Sequence, residues 1–108
     1  MVVHLDDPAG ELQRNQAQAA NQLLVGVFDQ KGLFQRAALM SRHPARWTYA
    51  LVVPFDTPLN LSITSRFFKL ADSDGKEVGA SAPSLQFKIS ANGQQPPFTF
   101  RIVGVSKQ

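Results

Sequence analysis

The sequence predicts an all-β protein built as a two-sheet antiparallel sandwich of about seven strands. Three observations carry this prediction. Several segments alternate apolar and polar residues, turn-forming residues separate them at intervals of roughly 8 to 15 residues, and hydrophobic residues make up 44% of the chain while charged residues make up 18%. That composition is typical of a globular domain rather than a disordered chain. A small closed β-barrel is the alternative architecture.

Residues 1–22 are predicted to be a polar lead-in, either a short helix or an irregular segment. From Asp7 onward this segment is rich in Gln, Asn and Ala and lacks β-branched residues. Asp7 followed by Pro8 has the pattern of a helix N-cap with proline at the first helical position, and Glu11 would then lie in the first turn. Residues 23–108 are predicted to form a single sandwich domain.

The first strand of that domain is predicted at Leu23–Asp29, where an apolar run ends at a turn. The glycine of Asp29–Gly32 can supply the positive φ of a tight turn, so the chain should return along Leu33–Met40. This second run also contains residues that favour helices, and the sequence leaves strand or helix open there. The basic segment Ser41–Arg46 is predicted to be a loop.

A stretch from Arg46 to Leu70 contains the single Trp and the single Tyr of the chain. Between Arg46 and Val53 the bulky residues alternate with smaller ones, which predicts a strand with one buried face. The residues on that face are Trp47, Tyr49, Leu51 and Val53. The prolines of Pro54–Pro58 then predict a bend before the next strand.

Alternation of Leu59, Leu61 and Ile63 with polar residues predicts a half-buried strand after this bend. Beyond Ile63 the phase of the alternation slips by one residue. The slip predicts either a bulge near Ser65–Arg66 or a strand that changes sheets there.

The remaining strands are predicted from turns. Asp72–Gly75 has the composition of a tight turn, and a short strand is expected at Lys76–Ala80. Two further alternating segments predict strands beginning at Leu85 and at Phe98. Asn92–Gly93 supplies the turn between them.

The runs VGVFDQKG (25–32) and DSDGKEVG (72–79) resemble, in their pattern of strand and turn, immunoglobulin-like modules appended to larger bacterial proteins. The resemblance implies a sandwich and fixes no function. The Cys pair of immunoglobulin domains is absent, because the chain has no cysteine. The one Tyr, Tyr49, lies beside the Trp rather than at the usual corner position.

No pattern of residues in the sequence predicts catalysis, a cofactor or a metal. Asp72–Gly75 matches part of a calcium loop, but the first and twelfth ligand positions would be Leu70 and Ser81, which lack carboxylates. His4 and His43 have no partner at metal-ligand spacing. The sequence also lacks a nucleophile motif and a glycine-rich phosphate loop. We therefore expect a protein that is not an enzyme.

Basic and aromatic residues indicate two candidate binding regions. Arg36, Arg42 and Arg46 form the densest basic group, and Trp47 follows it directly. The second region is the proline-bracketed bend, with Phe55 and Asp56 as contact residues, because prolines reduce the entropy lost on binding.

The sequence thus favours a module for protein–protein interaction within a larger assembly. A carbohydrate-binding module is the first alternative, and it requires exposed aromatic rings. An anion or nucleic-acid binder is the second, although the net charge of +3 is mild for that role. No run is long enough to span a membrane, and Met1–Asp7 lacks the pattern of a secretion signal. The sequence is compatible with a cytoplasmic location and with export after removal of a leader.

Overall fold

The computed structural model describes residues 1–78 and 85–105, with the side chains of residues 19–21 left out. These residues contain ten strands and two short helices. The strands are β1 (Val2–Asp6), β2 (Leu23–Asp29), β3 (Phe34–Arg36), β4 (Ala38–His43), β5 (Arg46–Ala50), β6 (Leu59–Ser65), β7 (Phe68–Asp72), β8 (Glu77–Val78), β9 (Leu85–Phe87) and β10 (Phe98–Val105). The helices are α1 (Glu11–Arg14) and α2 (Gln16–Gln22).

The strands form two sheets, which confirms the predicted all-β, two-sheet sandwich. The larger sheet has six strands in the order β4-β5-β1-β10-β7-β8, and the smaller has four in the order β3-β2-β6-β9. Neighbouring strands are antiparallel except for β1 and β10, which are parallel. The predicted count of about seven strands was too low.

Strand β1 accounts for part of the difference in count. The sequence prediction assigned Val2–Asp6 to the polar lead-in, because five residues that include a histidine and an aspartate give a weak strand pattern. In the structure this segment lies in the middle of the larger sheet, between β5 and β10. Its Val3 and Leu5 are buried in the core. Two neighbouring strands therefore supply the pairing that the local sequence does not indicate.

The segment after β1 is helical, but the helix begins later than the sequence predicts. Pro8 lies in a turn and Gly10 has a φ of +75°, so α1 begins at Glu11. The buried Asp7 carboxylate still caps the helix, since it accepts hydrogen bonds from the N–H groups of Glu11 (2.9 Å) and Leu12 (2.6 Å). Leu12 is fully buried, so the lead-in contributes to the core.

At two places the chain passes from one sheet to the other through a connection of only one or two residues. The run Leu33–Met40 is strand rather than helix, and it leaves the smaller sheet at Ala37, whose N–H donates to the Val25 carbonyl at 2.8 Å. The next residue, Ala38, is paired with Ala50 in the larger sheet. The predicted loop Ser41–Arg46 was wrong: β4 and β5 continue through it and leave only Pro44 and Ala45 as the turn.

The other short connection between the sheets lies where the alternation slips. Strand β6 ends at Ser65 in the smaller sheet, and β7 begins at Phe68 in the larger one. The Ser65 hydroxyl accepts hydrogen bonds from the N–H groups of Phe67 (3.1 Å) and Phe68 (2.9 Å). This confirms the predicted strand that changes sheets, because the turn reverses which face each residue presents to the core.

The core lies between the two sheets. The predicted buried face of β5 is confirmed for Trp47 and Tyr49, while Leu51 and Val53 are half-buried and follow the end of the strand. The predicted strand Lys76–Ala80 is present as β8 (Glu77–Val78). The last two positions of the prediction, residues 79 and 80, lie outside the described part of the chain. Neither described helix is long and apolar enough to cross a membrane.

Candidate functional site

One side of the sandwich ends in two consecutive strands, one at the edge of each sheet. Strand β3 is the terminal strand of the smaller sheet and β4 is the terminal strand of the larger one. The chain joins them directly through Ala37, so residues 34–43 form one continuous edge, which we call the basic edge. Within the described residues, no further strand pairs with its outer side. Edge strands of this kind present unpaired backbone N–H and C=O groups.

The basic edge is exposed along almost its whole length. Of its ten residues only Ala37 and Leu39 are half-buried, and the others are exposed. Two of the exposed side chains are large and apolar: Phe34 is 47% exposed and Met40 is 66% exposed. An exposed edge with apolar side chains is a template for pairing with another chain. Such an edge therefore favours association over an isolated monomer.

Arg42 occupies a defined position on this edge. Its guanidinium carbon lies 5.1 Å above the centre of the Trp47 ring. Trp47 itself is only 4% exposed, so the indole belongs to the core and Arg42 lies over it. Such a contact holds the guanidinium close to the sheet and reduces the side-chain freedom that a ligand would otherwise have to restrict.

The pKa of the neighbouring Tyr49 responds to the positive charges around this edge. Burial raises the pKa of Tyr49 to about 12, and the positive charges of Arg42 and Arg36 oppose that rise. Both guanidinium groups therefore lie close enough to act on the same phenol. In the part of the chain that the structure describes, neither arginine forms a salt bridge. The sequence grouped these arginines, and the structure brings Arg36 and Arg42 to the same edge.

Arg46 does not belong to that pair. It alternates with Trp47 along β5 and so lies on the outer face of the larger sheet. There it forms a two-point contact with Asp6, with Nε at 2.5 Å and a terminal nitrogen at 3.2 Å from the carboxylate oxygens. The hydrogen bond to Asp6 raises the pKa of Arg46. Sequence analysis missed Asp6, because the two residues meet only through the pairing of β1 with β5.

The same outer face has a shallow depression of about 630 Å³. Its lining includes His43, Arg46, Thr48 and Arg101. The charge of Arg46 is already matched by Asp6, so the depression is only weakly positive. Its width and openness to solvent make it a poor site for a small ligand.

The two histidines make local contacts. The His43 Nδ1 accepts a hydrogen bond from the Ala45 N–H at 3.1 Å, which stabilises the turn between β4 and β5. The His4 Nδ1 lies 3.2 Å from the Thr48 hydroxyl. Across the residues that the structure describes, no group of three histidine, aspartate or glutamate side chains is placed to hold a metal ion.

The proline-bracketed bend is apart from the basic edge. Phe55 is 59% exposed, and Asp56 has a φ of +53°, which is unusual for a residue other than glycine. The Asp56 N–H donates to the Ile89 carbonyl at 2.7 Å. This bond ties the bend to the segment that follows β9, and β9 lies at the opposite edge of the smaller sheet from β3. The predicted binding residues therefore fall on separate surfaces.

The opposite side of the sandwich has a larger cavity that the sequence did not predict. It occupies about 720 Å³ and lies between the terminal strands β8 and β9. Its apolar lining includes Ile63, Val78, Leu85 and Phe98. At its rim, the Asp72 carboxylate accepts hydrogen bonds from the N–H groups of Asp74 and Lys76 and so stabilises its own turn.

Comparison of the chain with protein-family models, with curated proteins and with solved structures found no match. No relative or structural neighbour therefore indicates a function for this chain.

Proposed function

We propose that this chain is a non-enzymatic binding module that mediates protein–protein interaction within a larger assembly, and that its partner pairs with the basic edge. The observation that carries the proposal is the exposed basic edge, in which the outer sides of β3 and β4 are unpaired among the described residues. Addition of a strand to such an edge is a common mode of peptide recognition, in which the backbone gives affinity and the alternate side chains give specificity.

The apolar side chains on the edge support a protein partner. Phe34 and Met40 are both large and exposed. An added strand would cover part of these side chains as it pairs with the backbone. Burial of apolar area is the main favourable contribution in most protein association.

The position of the aromatic residues favours protein over carbohydrate. A carbohydrate-binding surface uses exposed rings, whereas Trp47 and Tyr49 are both buried. Phe55 is exposed, but a single ring on a bend is a small platform. A nucleic-acid surface would need several unpaired cations beside stacking rings, and Arg46 is matched by Asp6. The immunoglobulin-like description remains a resemblance of sequence pattern, supported by the two packed sheets.

The proposal is tested with a displayed library of random 12-residue peptides, selected for binding to the full chain. Enriched peptides are synthesised and added to ¹⁵N-labelled protein. We expect the shifted amide signals to belong to residues 34–43. Enrichment of no peptide, or shifts confined to the cavity between β8 and β9, would contradict the proposal.

A matched pair of variants sharpens this test. Met40 lies on the basic edge and is 66% exposed, and Val103 lies on β10 and is 56% exposed. Met40→Ser should weaken peptide binding, because the added strand covers this side chain. Val103→Ser should leave binding unchanged. Equal effects of the two substitutions would show that the peptides respond to general surface hydrophobicity.

A further inference from the structure

We infer that the segment received by the basic edge is an extended peptide that carries acidic side chains, which Arg36 and Arg42 bind. This inference rests on the proposed function, since it names the chemistry of the partner at the same edge. It excludes a second copy of this chain as the partner, because the charge of the edge is of one sign.

The charge of the edge is of one sign. From Gln30 to Arg46 the chain has four basic residues and no acidic residue. Arg46 already has a carboxylate partner in Asp6. Arg36 and Arg42 form no salt bridge with any residue in the described ranges. The edge therefore presents two exposed guanidinium groups that have no carboxylate partner among the described residues and can bind the carboxylates of a ligand.

The two arginines are spaced along the strand in a way that suits an extended ligand. Arg36 is the last residue of β3, and Arg42 is near the end of β4. Extended chain rises by about 3.3 Å per residue, so the two positions are separated by most of the length of the edge. One bound strand can place a carboxylate at each, whereas a small anion can reach only one of them.

A second copy of this chain is a poor occupant. Antiparallel pairing of two basic edges would bring arginines of like charge close together, which is destabilising when they face each other. The strands at the opposite side offer little to pair with, since the described part of β8 has two residues and β9 has three. Charge and strand length therefore both favour a different protein as the source of the acidic segment.

The experiment uses three synthetic ten-residue peptides with the same apolar residues. Their alternate positions carry Glu, Gln or Lys, and binding to the full chain is measured by fluorescence anisotropy at low and at raised salt. We expect the Glu peptide to bind about tenfold more tightly than the Gln peptide, because charge-assisted hydrogen bonds are stronger than neutral ones. The difference should shrink as salt is added.

Variants assign this preference to the two arginines. The double variant Arg36→Gln, Arg42→Gln should lose the preference for Glu over Gln. The control Lys76→Gln, Lys88→Gln removes the same charge from two exposed residues elsewhere and should retain it. Thermal melting of both variants checks that each is folded. Equal loss in both would overturn the inference, because it would show a response to net charge alone.

The outcomes separate the inference from the function on which it rests. If Glu and Gln peptides bind equally and both shift the amides of residues 34–43, the acidic partner is wrong and the interaction module stands. If neither these peptides nor any peptide enriched from the library shifts those amides, the proposed function fails. Sedimentation that shows a dimer in the unmodified chain, lost in Met40→Ser, would identify a second copy as the occupant and overturn the inference.

Discussion

On one side of the sandwich the two sheets end in β3 and β4, which the chain joins at Ala37 into one exposed strand. On the other side they end in β8 and β9, whose described parts have two and three residues. Short edge strands are one of the ways in which proteins prevent unwanted pairing. The difference teaches that, among the described residues, one side of the sandwich has a longer unpaired edge than the other.

The two sides also differ in charge and in packing. The hairpin of β7 and β8 carries three acidic and two basic residues, whereas the basic edge has two arginines and no acidic residue. Beneath the basic edge lies a buried Trp47. Between β8 and β9 lies a cavity of about 720 Å³. Among the described residues, the longer unpaired backbone is thus on the side with the buried Trp47, and the larger cavity is on the side with the shorter edge strands.

The largest expected effect concerns this contrast in packing. Trp47→Ala should lower the free energy of unfolding by about 3–5 kcal/mol, since it removes a buried aromatic side chain. Leu85→Ala, on the cavity side, should cost less than about 1 kcal/mol, because Leu85 is 45% exposed. Urea denaturation of both variants measures the difference. Similar losses would mean that the cavity side is packed as tightly as the other.

An intermediate effect is expected at Gly26, which lies beneath the basic edge. A Cβ at this position would be 2.2 Å from the Phe34 ring and 2.9 Å from the Gln35 carbonyl oxygen. The Phe34 ring can rotate away, but the backbone oxygen requires β3 to shift. Gly26→Ala should therefore cost about 1–3 kcal/mol in urea denaturation and speed hydrogen exchange in β3.

The matched control for that substitution is Gly104→Ala. A Cβ there would meet only Lys69 Cδ at 3.9 Å, which is ordinary contact. We expect a change within about 0.5 kcal/mol and no faster exchange in β3. If the two glycines prove equally tolerant, then β3 is not held closely against β2.

The smallest effect concerns the ionisation of Tyr49. Burial raises its pKa from 10.0 to about 12, so the unfolded chain loses the phenol proton first as pH rises. The contribution of Tyr49 to stability is therefore complete below pH 10 and is lost between pH 10 and about 12. Absorbance titration of the phenolate gives the pKa. In urea denaturation, the free energy of unfolding of Tyr49→Phe should not show this loss between pH 10 and about 12.

The arginines of the basic edge affect the pKa of Tyr49. Because Arg42 and Arg36 oppose the rise in the Tyr49 pKa, replacing both with Gln should move the pKa further upward. The control Lys76→Gln, Lys88→Gln should leave it in place. A Tyr49 that titrates normally would show that the phenol is accessible to water at this edge.

Sequence patterns predicted those parts of the fold that depend on local alternation. Leu59, Leu61 and Ile63 are buried as expected, and the slip after Ile63 indicated the change of sheet. The prediction failed where pairing supplies what the local sequence lacks. Val2–Asp6 becomes a strand because β5 and β10 pair with it from both sides, and the predicted loop at Ser41–Arg46 becomes a hairpin because β4 pairs with β5.

Of the candidate site, the sequence nominated Arg36 and Arg42, but it indicated neither the exposed Phe34 and Met40 nor how the arginines are grouped. Arg36, Arg42 and Arg46 are close in sequence, yet side chains alternate between the faces of a strand. Arg46 therefore lies on the outer face with Asp6, a residue 40 positions away, while Arg42 lies over Trp47. No local pattern contains that information, because it depends on which strands become neighbours.

The sequence by itself determined that this protein is a β-sandwich with a basic, cysteine-free surface, since alternation, turns and charge are properties of short segments. Only the tertiary structure decided that β3 and β4 form one exposed edge, that Arg36 and Arg42 remain without carboxylate partners among the described residues, and that Trp47 belongs to the core. The physical reason is that burial and charge pairing are set by contacts between strands distant in sequence, and those contacts exist only after both sheets have formed.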